Sequence, residues 1–313
     1  MLTWDVDRRR RHPWTVLYMR GMWARRDKTA FEGAEHTLRA ARERQRQGDA
    51  PPGRWTRLHS RVVTEDHDGM TVWRLRPRGR APVARVVYLH GGGYVHPLTP
   101  DYWRLLRSLA RTPAEVLVPA YPLAPGAHVS EVQARLLDLL EDSPQLPTLL
   151  MGDSAGGALV LVLARLARDR GRPLAGVVAL SPWLDATLTV RTEEVRRLEV
   201  SDPMLAESGL RAAGRSWAGD LDVADPRVSP VHLDLKGLPA VDVFIGDRDI
   251  LRPAVDELGE RAGRADVLVQ VHEVTAMFHV WMTRAIPEGR RTRRRLRDVV
   301  RRRARQAARA EAD

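Results

Sequence analysis

From residue 85 to residue 274, short apolar runs alternate with longer segments whose apolar residues recur at helical spacing. The runs lie at 85–90, 115–120, 148–152, 176–181, 240–246 and 266–274. They have the length of strands and carry apolar residues on both faces, as strands covered from both sides do. The helical segments lie at 101–111, 129–140, 155–170 and 253–264. Strands alternating with helices predict an α/β chain with a mostly parallel sheet and helices on both faces. Two further strands are expected at 57–65 and 70–76, because Asp68-Gly69 between them favours a tight turn. The expected sheet therefore has eight strands.

The flanks read differently. Residues 21–47 are polar and helical, and Gly48 and Pro51-Pro52-Gly53 break that pattern. Residues 1–55 are expected to form an N-terminal arm or cap, and residues 56–290 the sheet-bearing domain. Within that domain, 185–220 lacks a strand signal, and Asp202-Pro203 is expected to start a helix running to Ala218. The insert is assigned to a small helical cap over the carboxyl edge of the sheet, where open α/β sheets bind ligands. In the final segment, 291–313, Leu296, Val299, Val300, Ala304 and Ala307 recur at helical spacing among arginines. A last helix should pack that stripe on the body and leave its arginines in water.

Composition narrows the classes. A chain of 313 residues with 43% hydrophobic content can bury a large core. It has no cysteine, which excludes disulfides, thiol nucleophiles and thiolate metal sites. The formal charge of +11 would suit nucleic acid or an anionic membrane. However, 11 arginines against three carboxylates from Arg290 onward supply +8 of it. Those arginines lack the interleaved aromatics of a base-stacking surface, so no nucleic-acid partner is expected. Peripheral membrane contact through the tail is the weaker alternative. The N-terminus has charges without a following apolar stretch, and the longest apolar run, 158–164, is too short to span a bilayer. A cytoplasmic location is the expectation.

Chemistry enters at Gly152-Asp153-Ser154-Ala155-Gly156, a G-x-S-x-G pentapeptide between an expected strand and an expected helix. A sharp strand-to-helix turn forces a serine into an exposed, strained position, and the flanking glycines make room for it. Ser154 is the candidate nucleophile. His90-Gly91-Gly92-Gly93-Tyr94 directly follows another strand. Glycines let backbone N–H groups approach a developing oxyanion, and Gly91, Gly92 and Ala155 are assigned as donors. A serine nucleophile needs a base and an orienting carboxylate, which follow it in the order acid, then histidine, in this type of sheet. Of His232, His272 and His279, the last falls in a loop just after the final strand and is the expected base. Asp247 and Asp249 both follow the strand at 240–246, and position alone leaves them nearly equal.

These motifs together resemble the hormone-sensitive-lipase-like α/β-hydrolases, the bacterial esterase family IV, over about residues 83–290. The resemblance also rests on Ser181-Pro182-Trp183-Leu184-Asp185 and Asp225-Pro226-Arg227-Val228-Ser229-Pro230. It implies an α/β-hydrolase fold with a helical cap. Its acid-loop pattern, G-x-x-D-x-L, fits Gly246 through Leu251 and selects Asp249, and its base matches Phe278-His279-Val280. The family's Y-R-L-A-P-E segment is here Tyr121-Pro122-Leu123-Ala124-Pro125-Gly126, similar to steryl acetyl hydrolase-like and lactone-hydrolase-like members.

The implied activity is hydrolysis of small-molecule carboxylic esters with short to medium acyl chains, lactones included, without metal or organic cofactor. Tyr94, Trp183 and Trp217 are candidates to line the acyl or alcohol pocket. The rival readings are an acyltransferase or amidase using the same residues, and a non-catalytic small-molecule receptor on the same scaffold.

Overall fold

The computed structural model describes residues 1–141 and 146–310. Its strands are β1 (Leu2–Asp7), β2 (Arg61–His67), β3 (Met70–Arg76), β4 (Ala84–Leu89), β5 (Ala114–Pro119), β6 (Thr148–Asp153), β7 (Gly176–Leu180), β8 (Val241–Gly246) and β9 (Val269–Val274). They form one sheet in the order β1-β9-β8-β7-β6-β4-β5-β3-β2. All neighbours are parallel except β2 with β3 and β3 with β5. The α-helices of the described residues are α1 (Pro13–Arg25), α2 (Ala34–Gln47), α3 (Arg54–His59), α4 (Tyr102–Leu109), α5 (Val129–Glu141), α6 (Ala155–Asp169), α7 (Thr192–Ser201), α8 (Glu207–Ala218), α9 (Arg252–Arg264) and α10 (Pro287–Ala310).

Strand residues alternate between two cores, as a pleat of period two requires. Val87, Leu89, Leu150, Val177 and Val243 join a core shared with α5, α6, α8 and α9. Val86, Tyr88, Leu149, Val178 and Phe244 face the other way, onto α1, α4 and α10. The central strands β4 to β8 are buried along their whole lengths. The carboxyl ends of β4, β6 and β8, with the loop after β9, converge on one edge of the sheet. That edge carries the chemistry-bearing motifs.

Among the described residues the sheet has nine strands rather than the eight expected. The extra one, β1, comes from the segment assigned to an arm and pairs parallel with β9, Leu2 opposite Val269. Leu2, Trp4 and Val6 alternate with Thr3, Asp5 and Asp7, an ordinary signal of a half-buried edge strand. The 57–65 strand is also shorter than expected: residues 54–59 are helical and β2 starts at Arg61. In the insert, Asp202-Pro203 separates two helices instead of starting one.

Part of the N-terminal segment covers the carboxyl edge. A short 3-10 turn, Asp27–Phe31, and α2 pack on α8. Gly209 on α8 has no room for a Cβ against the Phe31 carbonyl, so only glycine permits this approach. At the other end of the chain, Leu296, Val299, Val300 and Ala304 are buried beneath α10. Its arginines are not all in water as expected: Arg293 and Arg303 are buried too. Glu311 and Asp313 of the tail lie outside the described residues. Among the described residues, no helix is long and apolar enough to cross a membrane.

Candidate active site

Ser154 occupies the turn between β6 and α6 at φ 53°, ψ −119°. A non-glycine residue held there is strained, and the surroundings must hold it in place. Its N–H donates to Leu180 O at 2.8 Å, and its carbonyl accepts from Trp183 N at 2.9 Å and Ala158 N at 3.1 Å. A Cβ on Gly152 would sit 2.8 Å from Leu89 O, and one on Gly156 would sit 2.6 Å from His90 O. Both flanking glycines are therefore fixed by the close passage of the chain leaving β4.

That chain is the loop His90-Gly91-Gly92-Gly93. Asp153, buried at the end of β6, ties it to the serine turn. Asp153 Oδ1 accepts from Tyr88 Oη at 2.6 Å and from Gly91 N at 3.0 Å, and its Oδ2 accepts from Tyr102 Oη at 3.0 Å. Burial raises the Asp153 carboxyl above its usual value, with the two tyrosine bonds and His90 pulling against it. Tyr121 stacks on His90 with centroids 4.5 Å apart and donates to the His90 carbonyl at 2.6 Å.

This geometry corrects one assignment. The Gly91 N–H donates to Asp153 at 3.0 Å, and Gly91 does not line the cavity beside Ser154. Gly92 and Gly93, by contrast, line the cavity beside Ser154. Gly92 has φ 110°, and a Cβ there would sit 2.6 Å from His96 O. The sequence reading missed Gly93 and Asp153 although both lie inside the quoted motifs. Only the tertiary contact decides which N–H groups remain free.

The loop after β9 brings His279 to the same cavity. Its Nδ1 donates to Asp249 Oδ2 at 2.9 Å, with both residues almost fully buried. Burial pulls the imidazole down. The opposing pull of Asp249, by charge and hydrogen bond, with Asp202 and Asp153 behind it, carries it above its ordinary value. Asp247 is placed elsewhere: its Oδ1 accepts from Ala276 N, and it braces the loop without meeting His279. His272 stays on β9, 3.2 Å from Asp242, and His232 lies in a 3-10 turn, Pro230–His232.

Asp202, read in the sequence only as a helix start, lies close to this site. Its Oδ1 accepts from Met204 N and Leu205 N at 2.8 and 3.0 Å, and its Oδ2 from Ile250 N at 3.1 Å. It thus pins the cap to the residue after Asp249. Burial and then the charge of Asp249 raise it to about 6.

The cavity holds about 470 Å³. Ser154, His279 and the glycine loop form its floor, and Phe31, His96, Met204 and Leu205 are among its walls. Tyr94, Trp183 and Trp217 do not line it. They are buried in the core, where Tyr94 stacks on Trp217 at 4.2 Å and on Trp183 at 5.7 Å. Large aromatics one layer too deep cannot be told from lining residues by sequence. His96 is a lining residue that the sequence reading missed. Burial, then Arg44, lowers it to about 4, and it meets Phe31 edge-on at 5.4 Å.

A strained serine, a paired histidine and carboxylate, and a glycine loop at the carboxyl edge of such a sheet define a class. The alpha/beta hydrolase fold family model matches residues 86–283, and the chain belongs to that family. The acetyl-hydrolase of Streptomyces hygroscopicus is 32% identical over 239 residues, which cover 74% of this chain and 78% of that one. The crystal structure of an esterase from the bacterial hormone-sensitive lipase family is similar with TM-score 0.79 and 27% identity. It covers 94% of this chain and 99% of that chain. An esterase crystal soaked by p-nitrophenyl butyrate gives TM-score 0.80 at 27% identity, covering the same 94% and 99%. Within this group the protein is a carboxylesterase of the hormone-sensitive-lipase-like type.

Proposed function

We propose that Ser154, His279 and Asp249 form the catalytic triad, with Gly92, Gly93 and Ala155 as the oxyanion hole. The observation that carries this reading is the buried 2.9 Å contact of Asp249 with His279, which lines the same cavity as strained Ser154. His279 takes the Ser154 proton as Oγ attacks the ester carbonyl. Negative charge gathers on the carbonyl oxygen, where three backbone donors meet it; one such donor is typically worth about 3 kcal/mol. Ala155 supplies the first free N–H of α6, so the positive end of that helix adds to the effect. His279 then protonates the departing alcohol, and water repeats the sequence to release the acid. Asp249 fixes the tautomer that leaves Nε2 free and stabilises the imidazolium. Every step is proton transfer or acyl transfer by the chain's own groups.

The substrates of this reading are esters of short to medium acyl chains, and lactones, whose alcohol leaves while still tethered. A cavity of about 470 Å³ with both apolar and charged walls suits a small molecule and is short of the room for a long acyl chain in full.

Ser154→Ala is expected to fold normally and to lose on the order of 10⁴-fold in turnover. More than a few per cent of residual activity would refute the nucleophile. On p-nitrophenyl esters from acetate to palmitate, faster hydrolysis of palmitate than butyrate would refute the size class. Acyl transfer to added alcohol in preference to water would favour the transferase reading.

A further inference from the structure

A second cavity, of about 330 Å³, lies on the face of the sheet covered by α4 and α10. Two stripes of arginine face each other across it. Arg104, Arg107 and Arg111, with Ser108, run along α4 and its end. Arg290, Arg293, Arg294 and Arg297 run along α10. Both stripes follow the spacing i, i+3, i+4, i+7, which places each on one side of its helix. Among the described residues, Asp101 is the one carboxylate paired with any of the seven, 3.4 Å from Arg104. Elsewhere on this protein surface arginines find acids one helical turn away, as in Arg135 with Glu131, Arg196 with Glu193 and Arg301 with Asp298.

The cluster is built rather than merely exposed. Arg293 is 9% exposed, and its Nη1 donates to Met282 O at 2.6 Å and Arg284 O at 2.9 Å. Arg297 donates to Ser108 Oγ at 2.7 Å, joining the two helices, and Arg104 donates to Thr283 O at 2.8 Å. Arg290 falls in the first turn of α10, where the helix dipole is already positive. Burial, then the neighbouring Arg104, Arg107, Arg297 and Arg290, brings Arg293 down to about 10. Held in this way, like charges raise the energy of the empty cavity and leave a strong field for an anion.

We propose that this cavity is a binding site for a compact, multiply charged phosphate group, either a soluble polyphosphate or the phosphate of a lipid headgroup. The guanidinium fork matches phosphate oxygens, and several phosphates in one small volume answer seven clustered cations better than single carboxylates do. Arg111 and Arg294, exposed at the surface, and Arg107, half-buried, would close on the ligand. Arg293 and Arg297, already fixed, would form the base of the site.

The test is calorimetric titration of sodium pyrophosphate into the full-length protein at low salt. Saturable binding with Kd below about 1 mM is expected. Arg107→Gln/Arg294→Gln should weaken it at least about tenfold, and Arg8→Gln/Arg10→Gln, which removes the same charge outside the cavity, less than about twofold. Without ligand, the cavity variant should melt no lower than wild type, because it relieves repulsion. Phosphatidylcholine vesicles containing about 20 mol% phosphatidic acid separate the two sources. Co-sedimentation that pyrophosphate competes away assigns a headgroup, and pyrophosphate binding without co-sedimentation assigns a soluble ligand. Absence of saturable binding, equal weakening in both variants, or a lower melting point of the unliganded cavity variant would overturn the proposal.

Discussion

His279 sits among three buried carboxyl groups, and its chemistry follows from their sum. Asp249 bonds it directly, while Asp202 and Asp153 act through space, and together they outweigh the burial that would discharge it. As the proposed general base, His279 must be neutral to act, so kcat/KM should fall as pH drops through a midpoint above the ordinary histidine value of about 6.5. The linked effect on stability has the opposite sense. A raised folded value stabilises fully below the unfolded value, and the contribution is lost as pH rises through the folded one. Asp202→Asn removes one of the three charges and should move the acid limb of kcat/KM to lower pH. Turnover near pH 8 should stay within a few-fold of wild type, since Asp202 touches no reacting atom. A pH–rate profile superimposable on wild type would mean that Asp202 only anchors the cap. The sequence motif located the serine turn and the glycine loop, because both need special backbone that few residues can adopt. Position along the chain left Asp247 and Asp249 level until the G-x-x-D-x-L pattern selected Asp249, and it placed an oxyanion donor at Gly91, whose N–H is taken up by Asp153. Those distinctions depend on which partner lies across the fold, Ala276 for Asp247 and Asp153 for Gly91.

Among the elements, β1 links the start of the chain to the end of the sheet. It covers the outer edge of β9, whose unpaired backbone would otherwise invite pairing with another chain. Leu2 packs against α9 at Gly259, and Trp4 donates to Glu273 at 3.1 Å beneath the guanidinium of Arg252. Deleting residues 1–7 should cost about 2 kcal/mol for these half-buried side chains. The melting midpoint should then fall by roughly 4 °C, with a rise in aggregation at high concentration. Turnover below the transition should remain within a few-fold. An unchanged midpoint by calorimetry would mean that β1 contributes no net stability. The interior strands were legible because continuous apolar runs leave few alternatives. By contrast, β1 was obscured by the Arg8–Arg11 run that follows it and by its reading as part of an arm. The insert was misread for a related reason: the Asp202 side chain accepts from the N–H groups of Met204 and Leu205 just after it, a local pattern that resembles a helix cap in sequence, while its other oxygen reaches Ile250 across the fold.

At the scale of the whole molecule, α10 decides how the excess positive charge is carried. Its stripe Leu296, Val299, Val300 and Ala304 closes the core on one face of the sheet. Its end reaches Asp242 on β8, which is fully buried and takes Arg303 through Nε at 2.9 Å and Nη2 at 2.7 Å. Arg302 and His272 bond the other carboxylate oxygen at 2.8 and 3.2 Å. The sequence predicted the packed stripe but placed all the arginines in water, since nothing local marks Asp242 as a buried partner. Burial alone would raise that carboxyl. The bond from His272 and the charges of Arg303 and Arg302 hold it below the usual value instead. The stabilisation is therefore present at neutral pH and is lost as pH falls through the folded value. Breaking one side of a buried pair typically costs about 3 kcal/mol or more, because the other charge is left without compensation. Arg303→Met should accordingly lower the melting midpoint at neutral pH by roughly 6 °C. The deficit should narrow in acid, where Asp242 is protonated in both proteins. A chain ending after Arg305 keeps the stripe and the pair and should melt and turn over like wild type, whereas one ending at Arg290 loses both and should not fold. A midpoint for Arg303→Met equal to wild type at neutral pH, or a deficit that persists unchanged into acid, would show that the pair is not what fastens α10 to the sheet.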